Sequence, residues 1–316
     1  MGQVGTRARG LLVAGGAAIA LGGAGWLLGP GWAAAGVVAG PVAALVIVAA
    51  WRVHTGTSAW HLLQLGRVDE ALSNLDEEIP ALRTLARIWP SQFRQDLASR
   101  RVDQAIALSK CGRDAEAAAM AAEAVVAFRE LAAARPQKFT AGLAEALYRV
   151  SFALAAVAGR DETLAAVEES VRLSRGLAAA RPAQHAPLLA MALARQAILL
   201  AGMSRLDDAL AAATDAVGVF QTAVPADRYP HSGAEALLMQ GRVLCDLSRP
   251  GEAAGPLARG WQQAASRGYQ DLLGWARPAL TIAYEAGPAA FAGIWHAETG
   301  TDAPDWLTRP GGAARA

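Results

Sequence analysis

The chain is 316 residues long, 53% of them apolar, with 29 basic against 28 acidic side chains. A net charge of +1 creates no field to draw in a phosphate backbone, which excludes DNA and RNA as leading partners. Its two cysteines, Cys111 and Cys245, form no CxxC and have no histidine at ligand spacing, which excludes a disulfide framework or a cysteine zinc site and suits a reducing compartment.

Charge is distributed unevenly. After an N-terminal tail, residues 1–9, that carries Arg7 and Arg9, no charged residue occurs until Arg52. Residues 10–28 and 32–51 are charge-free runs separated by Gly29-Pro30-Gly31. At ~1.5 Å per residue each helix spans roughly 28–30 Å, the thickness of a bilayer's hydrocarbon core. Trp26, Trp32 and Trp51 fall near the ends, where indole rings favour the headgroup layer. The pattern predicts a transmembrane hairpin over 10–53, closed by small residues such as Gly36 and Gly40 and kinked at Pro41. Arginines before and after it, and none in the connector, place both ends in the cytoplasm. A secretory signal peptide is the competing reading, but the first run is too long and a second follows. The start, Met1 to Thr6, also fits a myristoylation pattern, which a transmembrane hairpin makes redundant.

From residue 57 the sequence repeats. Gly66-Arg67, Gly112-Arg113, Gly159-Arg160, Ser204-Arg205 and Ser248-Arg249 recur at spacings of 46, 47, 45 and 44, while Pro90, Pro136 and Pro182 lie 46 apart. A common period held by two independent markers is the signature of a repeat architecture. After each turn, small or apolar residues return at helical steps of four and three: Ala71, Leu75, Ile79, Leu82, Leu85, then Ala117, Ala121, Val125, Phe128, Leu131. Acidic residues gather in the first turn, where the helix dipole favours them, and proline closes the helix. The helix after each proline carries a second apolar set: Leu97, Leu143 and Leu189, then Ile106, Phe152 and Ile198. The third unit lacks one residue after its turn, which puts Thr163 where the others have alanine. No unit buries its own apolar face, so the core forms between neighbours.

The Gly-Arg-x-acidic-acidic-Ala turn and the closing proline resemble the tetratricopeptide repeat family. The unit exceeds the usual length of about 34 residues and is similar to a variant of about 45 residues found in actinobacterial proteins and, more distantly, kinesin light chains. The resemblance covers about residues 57–268, and the tail from Ala289 through Trp295 to Leu307 is similar to the end of such arrays. It departs from the pattern where serine replaces glycine at 204 and 248 and where Pro250-Gly251 replaces the acidic pair. The expected fold is all-α: an α-solenoid of tetratricopeptide-like helix pairs over 57–286, preceded by the transmembrane hairpin. A capping helix and tail motif are expected over 287–308 and a disordered tail over 309–316.

The resemblance implies a superhelix whose first helices line a groove that takes a protein or peptide partner. The side chains expected there lie off the apolar stripe: Arg100, Arg101, Asp103, Glu145, Tyr148, Arg149, Arg195, Gln196, Gln240 and Arg242. Arg149 and Arg195 share one repeat position, 13 residues after their prolines, and stacking would set them side by side for a carboxylate. Asp103 occupies the same register in the preceding unit, and all of these residues also fit a solvated polar face. The chain has no Walker loop, HExxH or GxSxG, and its five histidines are scattered, so neither an enzyme nor a cofactor or metal site is expected. Both cysteines are expected as small buried residues, and Trp60, Trp89, Trp261, Trp275, Trp295 and Trp306 as packing between helices. The reading is a scaffold at the cytoplasmic face of the cell membrane, held by two membrane helices. Its alternative is a peptide-sensing regulator that relays groove occupancy to the hairpin.

Overall fold

The computed structural model describes residues 59–155, 159–225 and 227–308. The expected hairpin over 10–53 and the tails 1–9 and 309–316 lie outside them. Every regular element among the described residues is a helix: α1 (Ala59–Gln64), α2 (Val68–Ile88), α3 (Pro90–Lys110), α4 (Asp114–Ala134), α5 (Pro136–Leu154), α6 (Arg160–Ala180), α7 (Pro182–Gly202), α8 (Leu206–Ala223), α9 (Pro230–Asp246), α10 (Pro250–Arg267), α11 (Gln270–Ala286), α12 (Pro288–Thr299) and α13 (Asp305–Thr308). The chain forms two compact units that divide between Ala127 and Phe128, within α4.

Two kinds of junction recur, and each follows from the residues that stand there. Proline occupies the first turn of α3, α5, α7, α9, α10 and α12, where a missing N–H costs nothing and the fixed φ suits a helix. A single extended residue, such as Trp89, Arg135 or Arg181, separates α3, α5 and α7 from the helices before them. The other junction is a left-handed turn. Gly66, Gly112, Ser204 and Ser248 have φ of 74°, 71°, 59° and 58°. The next residue donates back five positions, as in Arg113 N–H to Leu108 O at 2.9 Å and Arg205 N–H to Leu200 O at 3.0 Å, which closes a Schellman motif. That arginine then pairs with an acid three residues on: Arg67 with Glu70, Arg113 with Glu116, Arg205 with Asp208, Arg249 with Glu252.

The third unit shows what its missing residue does. Thr163 N–H bonds to Gly159 O as Ala117 bonds to Arg113 and Ala209 to Arg205, so Gly159 stands where the others have arginine. Counted that way the residues preceding α2, α4, α6 and α8 are 46 apart throughout. Thr163 is fully buried in the column of Ala71, Ala117, Ala209 and Ala253.

Two of the left-handed turns carry serine, whose Cβ crowds the backbone there by roughly 1–2 kcal/mol. Replacing Ser204 or Ser248 with glycine should stabilise the fold by about 0.5–1 kcal/mol each after the entropy of the unfolded glycine is subtracted. A differential scanning calorimetry series is expected to show about 2 °C per substitution; an unchanged or lower melting point would show that these turns are not strained.

In the first unit α1 packs on α2 and α3, and α2 packs along α3. In the second, α5 packs on α6, α6 to α11 each pack on the helix before and the helix after, and α5, α7, α9 and α11 also touch in sequence to form an inner row. The stripe read from the sequence is the core of the first unit: Ala71, Leu75, Ile79, Leu82 and Leu85 are all buried. Small residues set the crossings. A Cβ on Gly241 of α9 would lie 2.5 Å from Leu257 Cγ of α10, and one on Gly260 of α10 would lie 2.8 Å from Leu238 Cγ of α9. Among the described residues α7 is long and apolar enough to cross a membrane, and half of it is buried against its neighbours.

Candidate functional site

The sequence-predicted residues fall in both units. In the first unit, Arg100 on α3 reaches Glu78 Oε2 of α2 with its Nε at 2.9 Å and Asp103 Oδ2 with its Nη1 at 3.1 Å. Burial pushes the Glu78 carboxyl above the usual range; Arg100 opposes that shift and Asp103 adds to it. Glu78 stands where later second helices carry Ala124, Ser170, Ala216 and Gly260, the column that allows close crossing. Arg101 pairs with Glu123 of α4 at 3.1 Å. Both arginines are therefore engaged in ion pairs between helices, and Asp103, 2% exposed, belongs to one of them.

In the second unit the inner row brings two of the other predicted residues, Tyr148 and Arg195, together around Phe152. Arg195 of α7 leans onto α5: its Nε donates to Ser151 Oγ at 3.3 Å, its Nη2 to Ser151 O at 3.0 Å, and its guanidinium lies 4.5 Å from the Phe152 ring centre. Tyr148 meets the Phe152 ring edge-on at 5.3 Å. Burial pushes the Tyr148 hydroxyl up to about 12, helped by the Glu235 carboxylate and opposed by Arg195 and Arg149. Glu145, one turn earlier on α5, is exposed.

The row continues through α9 and α11. Burial raises the Glu235 carboxyl, against the pull of His231 and Arg195. His231 Nε2 lies 2.9 Å from Asp271 Oδ2, and its ring meets Tyr269 edge-on at 4.9 Å. Burial would lift Asp271, but hydrogen bonds from His231 and the backbone hold its carboxyl below the usual range. Arg242 lies 5.1 Å over the Trp275 ring, a second cation–π contact between consecutive inner helices.

Gln240 and Gln196 point elsewhere. Gln240 Nε2 donates to Thr214 Oγ1 of α8 at 3.0 Å. Gln196 joins Leu193 and Leu200 in the floor of a cleft of about 670 Å³ between α6 and α8. Its walls carry Glu168, Arg172 and Arg175 on α6 and Asp208 and Asp215 on α8, and Arg175 reaches Asp215 at 3.2 Å.

Three residues differ from the sequence reading. Phe152, assigned to the apolar stripe with Ile106 and Ile198, is 40% exposed, whereas Ile106 is 4% exposed, because Arg195 and Tyr148 pack on its ring from within the row and leave its outer face open. Trp89 is 42% exposed: it is the single extended residue between α2 and α3, so its ring leaves the packed faces of both. Cys245 is buried, with burial raising its thiol to about 11, but Cys111 is exposed because it caps α3 at the turn before Gly112. A signal for Phe152 was present in the sequence: Arg242 holds the same register two units on, an odd occupant for a core position.

Among the described residues no group of three His, Cys, Asp or Glu side chains is placed to hold a metal ion. Comparison with protein-family models and with curated proteins finds no match to this chain.

Proposed function

We propose that this chain is a protein-interaction scaffold, a tetratricopeptide-like α-solenoid held at the cytoplasmic face of a membrane by the hairpin over 10–53. Its inner row binds a protein or peptide partner, and no chemistry is performed there. The observation that carries this reading is the Phe152 platform: a large aromatic ring 40% exposed, braced by Tyr148 and Arg195, with exposed Glu145 two turns earlier on the same helix. Aromatic and arginine side chains whose rotamers are already fixed lose little entropy on binding and dominate interface energetics. The 46-residue period, the left-handed Gly or Ser turn and the prolines at helix starts support the family reading. The two charge-free runs flanked by arginines support the anchor.

A photo-reactive phenylalanine analogue at position 152, in the full chain in its own cells, should give discrete protein adducts after irradiation. The same analogue at Glu168, in the cleft between α6 and α8, should give none. Reversing the charge at Glu145 should weaken the adducts from 152. Adducts from 168 alone would move the binding surface to the cleft, and none from either position would end the scaffold reading.

A further inference from the structure

We propose that the tip formed by the end of α2 and the start of α3 rests on the headgroup layer of an anionic membrane, so that these two helices stand end-on to the bilayer. This rests on the membrane-anchor reading above and adds a surface to it. Ile88 and Trp89 at this tip are 48% and 42% exposed, exposed Arg87 immediately precedes them and exposed Arg83 lies one turn before it, and no acid occurs from residue 79 to 95. The opposite end of the same unit carries both signs, in Arg67, Asp69, Glu70, Lys110, Arg113, Asp114 and Glu116. An exposed indole beside an isoleucine, with two guanidinium groups and no carboxylate, matches the lipid interface on both counts. The ring favours the headgroup layer, and the cations favour the negative surface of a cytoplasmic leaflet.

The path of the chain points the same way. A tight left-handed turn at Gly66 joins α1 to α2 and the two helices pack together, so Ala59 is directed toward the Trp89 end. Helix α2 has 21 residues and is about 31 Å long, and α1 covers about 9 Å of it from the turn. The distance left to the tip is roughly 20 Å. Residues 52–58 separate Ala59 from the apolar run ending at Trp51, and seven residues reach at most about 25 Å. The end of that run and the tip are thus able to share one plane.

The test uses the full chain in vesicles of phosphatidylcholine and phosphatidylglycerol at about 7:3, with a nitroxide on a fraction of the headgroups. A fluorescent thiol dye is placed on Ser91→Cys in a Cys111→Ser background, beside the intact Trp89. In a second sample the dye sits on native Cys111, at the far end of the 21-residue α3 and about 31 Å away. Cys245 is buried and stays unlabelled. The proposal expects the dye at 91 to be quenched about twofold or more and the dye at 111 to be unaffected. It also expects quenching at 91 to fall in pure phosphatidylcholine, at high salt, and in an Arg83→Glu/Arg87→Glu/Trp89→Ala variant. Equal quenching at both positions, or none at 91, overturns it if alkaline carbonate leaves the chain in the membrane pellet. Quenching at 91 that appears without nitroxide and grows with protein density also overturns it, because the tip then meets another protein copy. If carbonate extracts the chain, the anchor reading fails and this proposal falls with it.

Discussion

Replacing Arg100 with leucine is expected to lower the stability of the first unit by about 3–5 kcal/mol, far more than a surface arginine is worth. The reason is what stays behind. Asp103 is 2% exposed and the Glu78 side chain 11%, and Arg100 is the cation between them. Without it two carboxylates face each other across the crossing of α2 and α3, where burial weakens screening by water and salt. A Glu78→Gln/Asp103→Asn/Arg100→Leu variant should recover most of the loss, since removing all three charges leaves no uncompensated ion. The pH dependence gives a second check. Burial already holds the Glu78 carboxyl above its ordinary range with Arg100 present. A raised folded-state value means that the folded protein binds this proton more tightly than the unfolded chain. Its contribution is therefore full below the ordinary carboxylate range and is lost as pH rises through the folded value. Without Arg100 the shift grows. The stability gap between variant and parent should be small in acid and widen toward neutrality, read by hydrogen exchange of the α2 and α3 amides. A gap that is constant with pH, or below about 1 kcal/mol, would show that Arg100 is a solvated side chain.

How much of this was legible beforehand differs by kind of residue. Backbone chemistry was legible as punctuation: Gly66 and Gly112 mark turns and Pro90, Pro136 and Pro182 mark helix boundaries, but the prolines, read as closing one helix, stand in the first turn of the next, and Gly159, read as a turn glycine, stands where the other units have arginine. The apolar stripe was legible as well, since helical spacing determines which side chains share a face. What covers that face was not. Phe152, Ile106 and Ile198 hold one register, yet only Phe152 is open on its outer side, because Tyr148 and Arg195 stand beside it and Val102 and Ala194 are the corresponding residues of Tyr148 in the neighbouring units. Arg100 shows the same limit. Its charge is visible in the sequence, but its partner Glu78 lies 22 residues earlier in a column that small residues occupy elsewhere. Periodicity reports a direction from a helix axis; burial depends on the residue that arrives from the next helix.

Truncating Phe291 to alanine should cost about 3–5 kcal/mol and act at one end of the second unit. Phe291 is 2% exposed in α12, packed edge-on to Tyr284 of α11 at 5.8 Å and 5.6 Å from Trp295 on its own helix. Helix α12 packs on both α10 and α11, and its two aromatic side chains fill the last interval of a core that includes Leu257, Leu272 and Leu280. No further helix pair follows in the described residues to complete that core, so the alanine leaves a cavity that only fraying of α12 can relieve. In a repeat array each pair depends mainly on its immediate neighbours. Amide protection should therefore fall in α11 to α13, weaken less in α10, and stay near the parent value in α5 to α7. Trp295→Phe at the adjoining site should be milder, because the Trp295 indole N–H is buried with no hydrogen-bond partner and its removal gives up no bond. Loss of protection that is uniform from α5 to α13 would show instead that the second unit unfolds as one cooperative body, and that α12 is part of its common core and not a terminal cap.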